Sequence, residues 1–221
     1  MDNIRAYNNA FSYSSCGAKI DESMLGQRGV YTFRIQGQLY HLIGALLPQP
    51  HDVPKFAQIY LYDGDEQQVQ FRMSHFPEDH LNPLIMSALQ RMFQNFNPYA
   101  ITFKNAGQRM RATPNNLQPI QLKISTTHNH TINDHRRYNR PTANEVAVIL
   151  PGADDNVETG PRDIILEQHN GGFKRISELH SGYLPLRYPI FFPFAEQGWF
   201  PYFRSMTEYL FLSLYLSLTN R

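Results

Sequence analysis

Leu81-Asn82-Pro83-Leu84-Ile85-Met86-Ser87-Ala88-Leu89-Gln90-Arg91-Met92-Phe93-Gln94-Asn95-Phe96 is where the chain changes period. Leu81, Leu84, Ile85, Ala88, Leu89, Met92, Phe93 and Phe96 recur at spacings of three and four, which lays them along one face of an amphipathic helix. Asn82-Pro83 stands at its start and Asn97-Pro98 at its end. The spacing predicts a helix over 81–96.

On either side the pattern is that of strands. Upstream, 30–43 reads as two β-branched and aromatic runs around Gln36-Gly37, a hairpin with glycine in the turn. Residues 57–62 read as a further strand, stopped by the turn cluster Asp63-Gly64-Asp65. Downstream, 120–124 and 145–150 read as strands, the second ended by Pro151-Gly152 and the acidic loop Asp154-Asp155-Asn156. Residues 162–167 and 173–176 flank Asn170-Gly171-Gly172, a second hairpin signal. After Leu184 come Pro185, Pro189, Pro193 and Pro201 among aromatics, a spacing that forbids a long helix and favours an extended segment, anchored by Trp199, Phe200, Tyr202 and Phe203. The expected fold is α+β, with antiparallel hairpins and one clear helix. The expected organisation is an α+β region over 1–150, a hairpin with a Pro/aromatic docking segment over 151–204, and a helix cut short over 205–221.

Composition bounds the class. Of 221 residues, 42% are hydrophobic and 13% aromatic, too much apolar bulk for a disordered, solvated polymer. Cys16 is the single cysteine, which excludes an intrachain disulfide and a cysteine-based zinc site and fits a reducing nuclear or cytosolic compartment. The first residues have no apolar core of a secretory signal. The apolar run at 209–218 has about half of the roughly 20 residues a helix needs to cross a bilayer, so no membrane anchor is expected.

Net charge is +1, but it is unevenly placed. Between 104 and 140 stand Lys104, Arg109, Arg111, Lys123, Arg136, Arg137 and Arg140 against one acid, Asp134, while both flanks are mildly acidic. A basic centre of this kind points to a polyanion. Arg136-Arg137-Tyr138-Asn139-Arg140 sets guanidinium groups beside an aromatic ring, which suits phosphate neutralisation with a base stacked on Tyr138.

Several stretches, in order, resemble one family. They are Tyr7-Asn8-Asn9-Ala10-Phe11, Gly29-Val30-Tyr31-Thr32-Phe33-Arg34-Ile35-Gln36-Gly37, Tyr40-His41-Leu42-Ile43-Gly44-Ala45-Leu46-Leu47-Pro48 and Phe56-Ala57-Gln58-Ile59-Tyr60. Tyr138-Asn139-Arg140-Pro141-Thr142-Ala143-Asn144-Glu145-Val146-Ala147, Arg162-Asp163-Ile164-Ile165 and Tyr188-Pro189-Ile190-Phe191-Phe192-Pro193-Phe194-Ala195-Glu196-Gln197-Gly198-Trp199 continue the series. The ordered set resembles the Helitron-type rolling-circle transposon Rep-helicases, over about nine tenths of the chain. The resemblance implies a transposition protein that couples a paired-histidine, tyrosine-nucleophile nuclease to an ATP-driven DNA helicase. The chain corresponds to the part ahead of both catalytic domains. It departs from the family at Ala195, where glycine is usual, and at 209–218, where a charged amphipathic helix is usual.

Neither catalytic centre is expected within these residues. A nuclease of that type needs two histidines flanking a hydrophobic residue to hold a divalent ion. The nearest match, His128-Asn129-His130 with His135 beyond it, has a polar centre and reads as a loop. No Gly-x-x-x-x-Gly-Lys-Ser/Thr loop occurs, so no ATP cradle and no cofactor is expected. Asp154-Asp155 reads as a solvated loop, and His41 as a packed, hydrogen-bonded strand residue. The expected function is DNA engagement, weak and single-stranded, through Arg136, Arg137, Tyr138, Arg140 and Lys123, alongside partner nuclease and helicase domains. Two other classes stay open: a scaffold that docks a catalytic domain without touching DNA, and a metal-dependent nuclease in which His128 and His130 converge with a carboxylate.

Overall fold

The computed structural model describes residues 3–20, 35–77, 80–112, 120–125, 147–151, 164–169 and 172–198. Its elements run α1 (Ile4–Phe11), β1 (Ser15–Ile20), β2 (Ile35–Ile43), a 3-10 turn (Phe56–Leu61), α2 (Asp65–Met73), α3 (Pro83–Phe96), α4 (Pro98–Ala112), β3 (Ile120–Ile124), β4 (Ala147–Pro151), β5 (Ile164–Glu167), β6 (Lys174–Ile176) and α5 (Tyr183–Arg187). The fold is α+β. Two antiparallel three-stranded sheets, ordered β1-β2-β6 and β4-β3-β5, share one buried core with the helices, and that core draws on residues from Ala10 to Ala195.

The helix at 81–96 forms as its spacing requires. The Asn82 side chain caps it, accepting from the Leu84 N–H at 2.8 Å and the Ile85 N–H at 3.4 Å, with Pro83 at the first helical position. Its inward face is rotated from the apolar stripe, however. Met86, Gln90 and Phe93 are buried, while Leu84 is 79%, Phe96 51% and Ile85 47% exposed. The rotation has a cause: Gln90 must face inward to receive the buried Arg72 of α2.

This helix is not alone, which corrects the expectation of one clear helix. Asn97-Pro98 ends α3 and also opens α4. The Asn97 N–H closes α3 on the Phe93 carbonyl at 2.9 Å, and its Oδ1 accepts from the Ala100 N–H at 3.1 Å as the cap of the next helix. Pro98 fits there because the first helical N–H groups have no intrahelical acceptor. Gly107 sits inside α4, where glycine lowers helix propensity. It is there for contact: a Cβ on it would stand 1.9 Å from the Leu61 carbonyl oxygen of the 3-10 turn. Helix α2 escapes a periodicity reading because its buried residues, Gln68 and Arg72, are polar.

Four strand readings need correction. Gln36-Gly37 is no turn; it lies within β2, which pairs with β1 through Lys19↔Gln36 and Ser15↔Leu42. The antiparallel partner of β2 at this end is Ser15–Ile20, and residues 30–34 lie outside the described residues. In place of a strand over 57–62 the chain forms the 3-10 turn Phe56–Leu61, with Ile59, Tyr60 and Leu61 all buried in succession, which a strand with one solvent face cannot do. The strands around Asn170-Gly171-Gly172 form but do not pair with each other. β5 joins β3 and β6 joins β2, so this segment crosses between sheets. From Leu184 to Gly198 the chain is not extended: α5 carries Pro185 in its first turn, and successive turns follow at Tyr188 to Phe191 and Phe192 to Ala195, while Trp199, Phe200, Tyr202 and Phe203 lie outside the described residues. Ala195 ends this run with φ 55°, in the left-handed region that favours glycine.

The strands read at 120–124 and 145–150 do pair, with Ile124↔Ala147 and Ile120↔Pro151 at the two ends. Ile120, Leu122 and Ile124 face the core. The loop after β2 ties the sheets together through Leu46 N–H to the Glu167 carbonyl at 2.9 Å and Leu47 N–H to the Gln168 carbonyl at 3.1 Å. Among the described residues no helix is long and apolar enough to cross a membrane.

Candidate functional site

The centre of the molecule is a buried arginine. Arg72 on α2 is 0% exposed, with its guanidinium carbon 4.3 Å from the Phe11 ring centroid and 4.3 Å from that of Tyr60. Its Nε donates to Gln90 Oε1 at 2.9 Å and its Nη1 to the Ala10 carbonyl. Gln90 in turn donates to Gln68 Oε1, and Gln68 to the Tyr62 carbonyl. Among the described residues Nη2 makes no hydrogen bond of normal geometry. Burial pulls the Arg72 pKa down while the Tyr60 and Tyr13 phenols work against the shift. A guanidinium still keeps its proton in a protein. Burial also raises the phenol pKa values of Tyr60 and Tyr13.

Arg72 borders a cleft of about 340 Å³ between α1, β1, the 3-10 turn, α2 and α5. Arg187, Lys55 and His75 also line it. Arg187 donates to Ser12 Oγ at 3.0 Å, the Ser14 carbonyl at 3.2 Å and Asn9 Oδ1 at 2.9 Å, while its buried Nε has no partner among the described residues. His75 Nε2 lies 2.9 Å from the Pro54 carbonyl, so that nitrogen carries the proton. Phe56, Ile59 and Phe76 add apolar walls, and Cys16 is exposed beside them. Among the described residues that line the cleft none is acidic. Such a cleft favours an anion with an apolar body.

His41 is packed as expected, stacked on Tyr183 with centroids 4.0 Å apart and rings 13° from parallel. A backbone hydrogen bond with Tyr183 favours a proton on its ring. Burial first, and the Arg187 charge second, lower its pKa to about 4, so it is neutral at pH 7. Cys16 is its register partner across β1 and β2, yet no hydrogen bond joins them, so the two do not form a nucleophile and base pair.

Of the residues expected to meet DNA, Lys123 is half-buried in β3, paired across the ladder with Val148 and Ile165. Arg136, Arg137, Tyr138 and Arg140 lie outside the described residues, as do His128, His130, His135, Asp154 and Asp155. The strand ends that bracket 126–146 are adjacent, because Ile124 pairs with Ala147. Arg111 is already engaged, in an ion pair with Asp63 at 2.6 Å and a bond to the Leu61 carbonyl at 2.7 Å. Among the described residues no group of three or more His, Cys, Asp or Glu could hold a metal ion.

Sequence reading missed Arg72 and Arg187 because each looks like one more surface cation. Arg72 is enclosed by the rings of Phe11 and Tyr60 and Arg187 is held by Asn9, Ser12 and Ser14, all from distant segments, and single-chain periodicity carries no such signal. Compared with known proteins, the chain matches no family model, no curated protein and no solved structure.

Proposed function

We propose that this chain is the non-catalytic N-terminal part of a Helitron-type transposition protein, working in the nucleus or cytosol, and that it engages single-stranded DNA through its basic centre. The observation that carries the reading is the anchoring of 126–146. Its two ends meet at the Ile124↔Ala147 pair of a regular antiparallel ladder, beside α4, the helix that bears Lys104, Arg109 and Arg111. The segment that leaves and returns at this pair holds Arg136, Arg137 and Arg140, a concentration of positive charge that favours a polyanion.

The test is the salt dependence of single-stranded DNA binding. Each neutralised phosphate contributes about 0.7 to the slope of log affinity against log salt, so three arginine contacts give about 2. Binding should be weak and blind to sequence, since phosphate contacts position a protein without reading bases. An Arg136→Ala, Arg137→Ala, Arg140→Ala variant should lose that slope. If it stays folded and keeps both affinity and slope, the reading fails.

In that case the scaffold reading takes its place, and one observation favours it. Leu84, Ile85 and Phe96 of α3 and Phe191 beyond α5 are exposed. Ile85 also borders an open apolar groove with Ile4, Tyr7, Leu89 and Ile190. Apolar surface of this kind is the mark of a docking face.

A further inference from the structure

We infer that the cleft beside Arg72 is an anion-binding site, and that its ligand is a small phosphate monoester carrying an apolar group. The inference stands apart from the DNA reading, since no residue of 126–146 enters it.

Three features converge. The first is a sparsely answered charge: Arg72 is fully buried, its charge is met by two ring faces, two neutral acceptors and the Tyr60 phenol, and among the described residues its Nη2 makes no hydrogen bond of normal geometry. A buried polar atom in a native protein is expected to have a partner, and a buried cation more so. The second is the company it keeps. Arg187, whose buried Nε has no partner among the described residues, lines the same cleft together with Lys55 and His75, and none of the described lining residues is acidic. Three cations, Lys55, Arg72 and Arg187, come from separate segments to one space, which suits an oxyanion with several oxygens better than a single carboxylate. The third is the wall. Phe56, Ile59 and Phe76 give the cleft an apolar side, and its volume of about 340 Å³ has room for a phosphate and a small ring.

The full chain should therefore bind phenyl phosphate, and bind it more tightly than inorganic phosphate, in calorimetric titrations at fixed ionic strength. Lys55→Glu, an exposed change that sets a carboxylate at the cleft, should weaken phenyl phosphate by about tenfold. Arg187→Gln should weaken it at least as much, with its fold checked by thermal melting because Arg187 also ties α1 to β1. Location is read separately through Cys16, the chain's only cysteine, which borders the cleft. Saturating phenyl phosphate should slow its alkylation severalfold. The variant lacking Arg136, Arg137 and Arg140 should bind phenyl phosphate as the parent does. The inference is overturned if the parent chain binds neither probe, if Lys55→Glu binds unchanged, if Cys16 is not protected, or if loss of the three arginines abolishes binding.

Discussion

The guanidinium of Arg72 is stacked on Tyr60, with 4.3 Å between its central carbon and the ring centroid. Burying a cation without a carboxylate is costly unless other groups take over the work of water. Here ring faces do much of it, because their quadrupoles present negative charge to the cation. The contact run continues from Tyr60 to Tyr13, stacked at 4.3 Å, and from Phe11 to Phe93 at 4.9 Å. Residues of α1, the 3-10 turn, α2 and α3 therefore meet around one guanidinium, which makes a polar side chain the organiser of the core.

Arg72→Lys should accordingly behave as a disruptive change. An ammonium has no plane to lie between two rings and cannot reach Gln90 and Ala10 in fixed fork geometry. The expected loss is about 2 to 4 kcal/mol, from weakened ring contacts and acceptors left unpaired. Urea denaturation measures it. A loss below about 1 kcal/mol would show that the stack contributes little.

Asn97 joins more segments than any cap needs to. It is 0% exposed, takes the Tyr13 hydroxyl proton at 2.9 Å and the Ala100 N–H at 3.1 Å on Oδ1, and donates from Nδ2 to the Pro193 carbonyl at 3.1 Å. Asn97→Ala removes a helix cap worth about 1 kcal/mol and strands a buried phenol at about 1 to 3 kcal/mol. Tyr13→Phe should cost less, because Asn97 keeps its other two bonds. The double variant should fall short of the sum of the two single changes, and additive losses in a double-mutant cycle would refute the coupling.

Gly107→Ala inverts the usual rule for helices. Alanine inside an exposed helix gains up to about 1 kcal/mol over glycine. At this position the new methyl would meet backbone, the Leu61 carbonyl, and backbone cannot swing aside as a flexible side chain can. α4 must shift from the 3-10 turn, with a net loss of about 2 kcal/mol or more expected in thermal or urea unfolding.

These positions also show what a single sequence can and cannot disclose. The α3 start was legible because Asn82 and Pro83 act locally, through bonds and a fixed φ within their own turn. The strands at β3 and β4 were legible for the same reason, as short β-branched runs. Pairing was not: nothing in Lys174–Ile176 says that it joins β2 rather than β5, since that choice is made by chain segments far away. Pro98 was read as a stop although it is equally a start, and only the geometry at Asn97 separates the two. For the candidate sites the division is similar. The basic centre shows in composition, whereas the cleft is assembled from Lys55, Arg72, His75 and Arg187 by the fold alone.

The pH dependence of stability should carry the signature of His41. Its folded pKa, about 4, lies below the ordinary value of 6.5, because burial beneath Tyr183 and the nearby Arg187 charge both oppose a proton on the ring. Between these two values the unfolded chain binds a proton that the folded chain refuses, so stability rises with pH across the window. Read downward, the folded state keeps its full margin above about pH 6.5 and loses it progressively towards pH 4. At 1.36 kcal/mol per pKa unit, a shift of this size corresponds to about 3 kcal/mol over the window, before any relaxation of the site. His41→Phe keeps an aromatic ring against Tyr183 and removes the titration. It should flatten the curve between about pH 4 and 6.5 while leaving the neutral-pH fold in place. Urea titrations of both proteins at half-unit pH steps measure the difference. If the two curves fall in parallel through that window, His41 is not the group responsible.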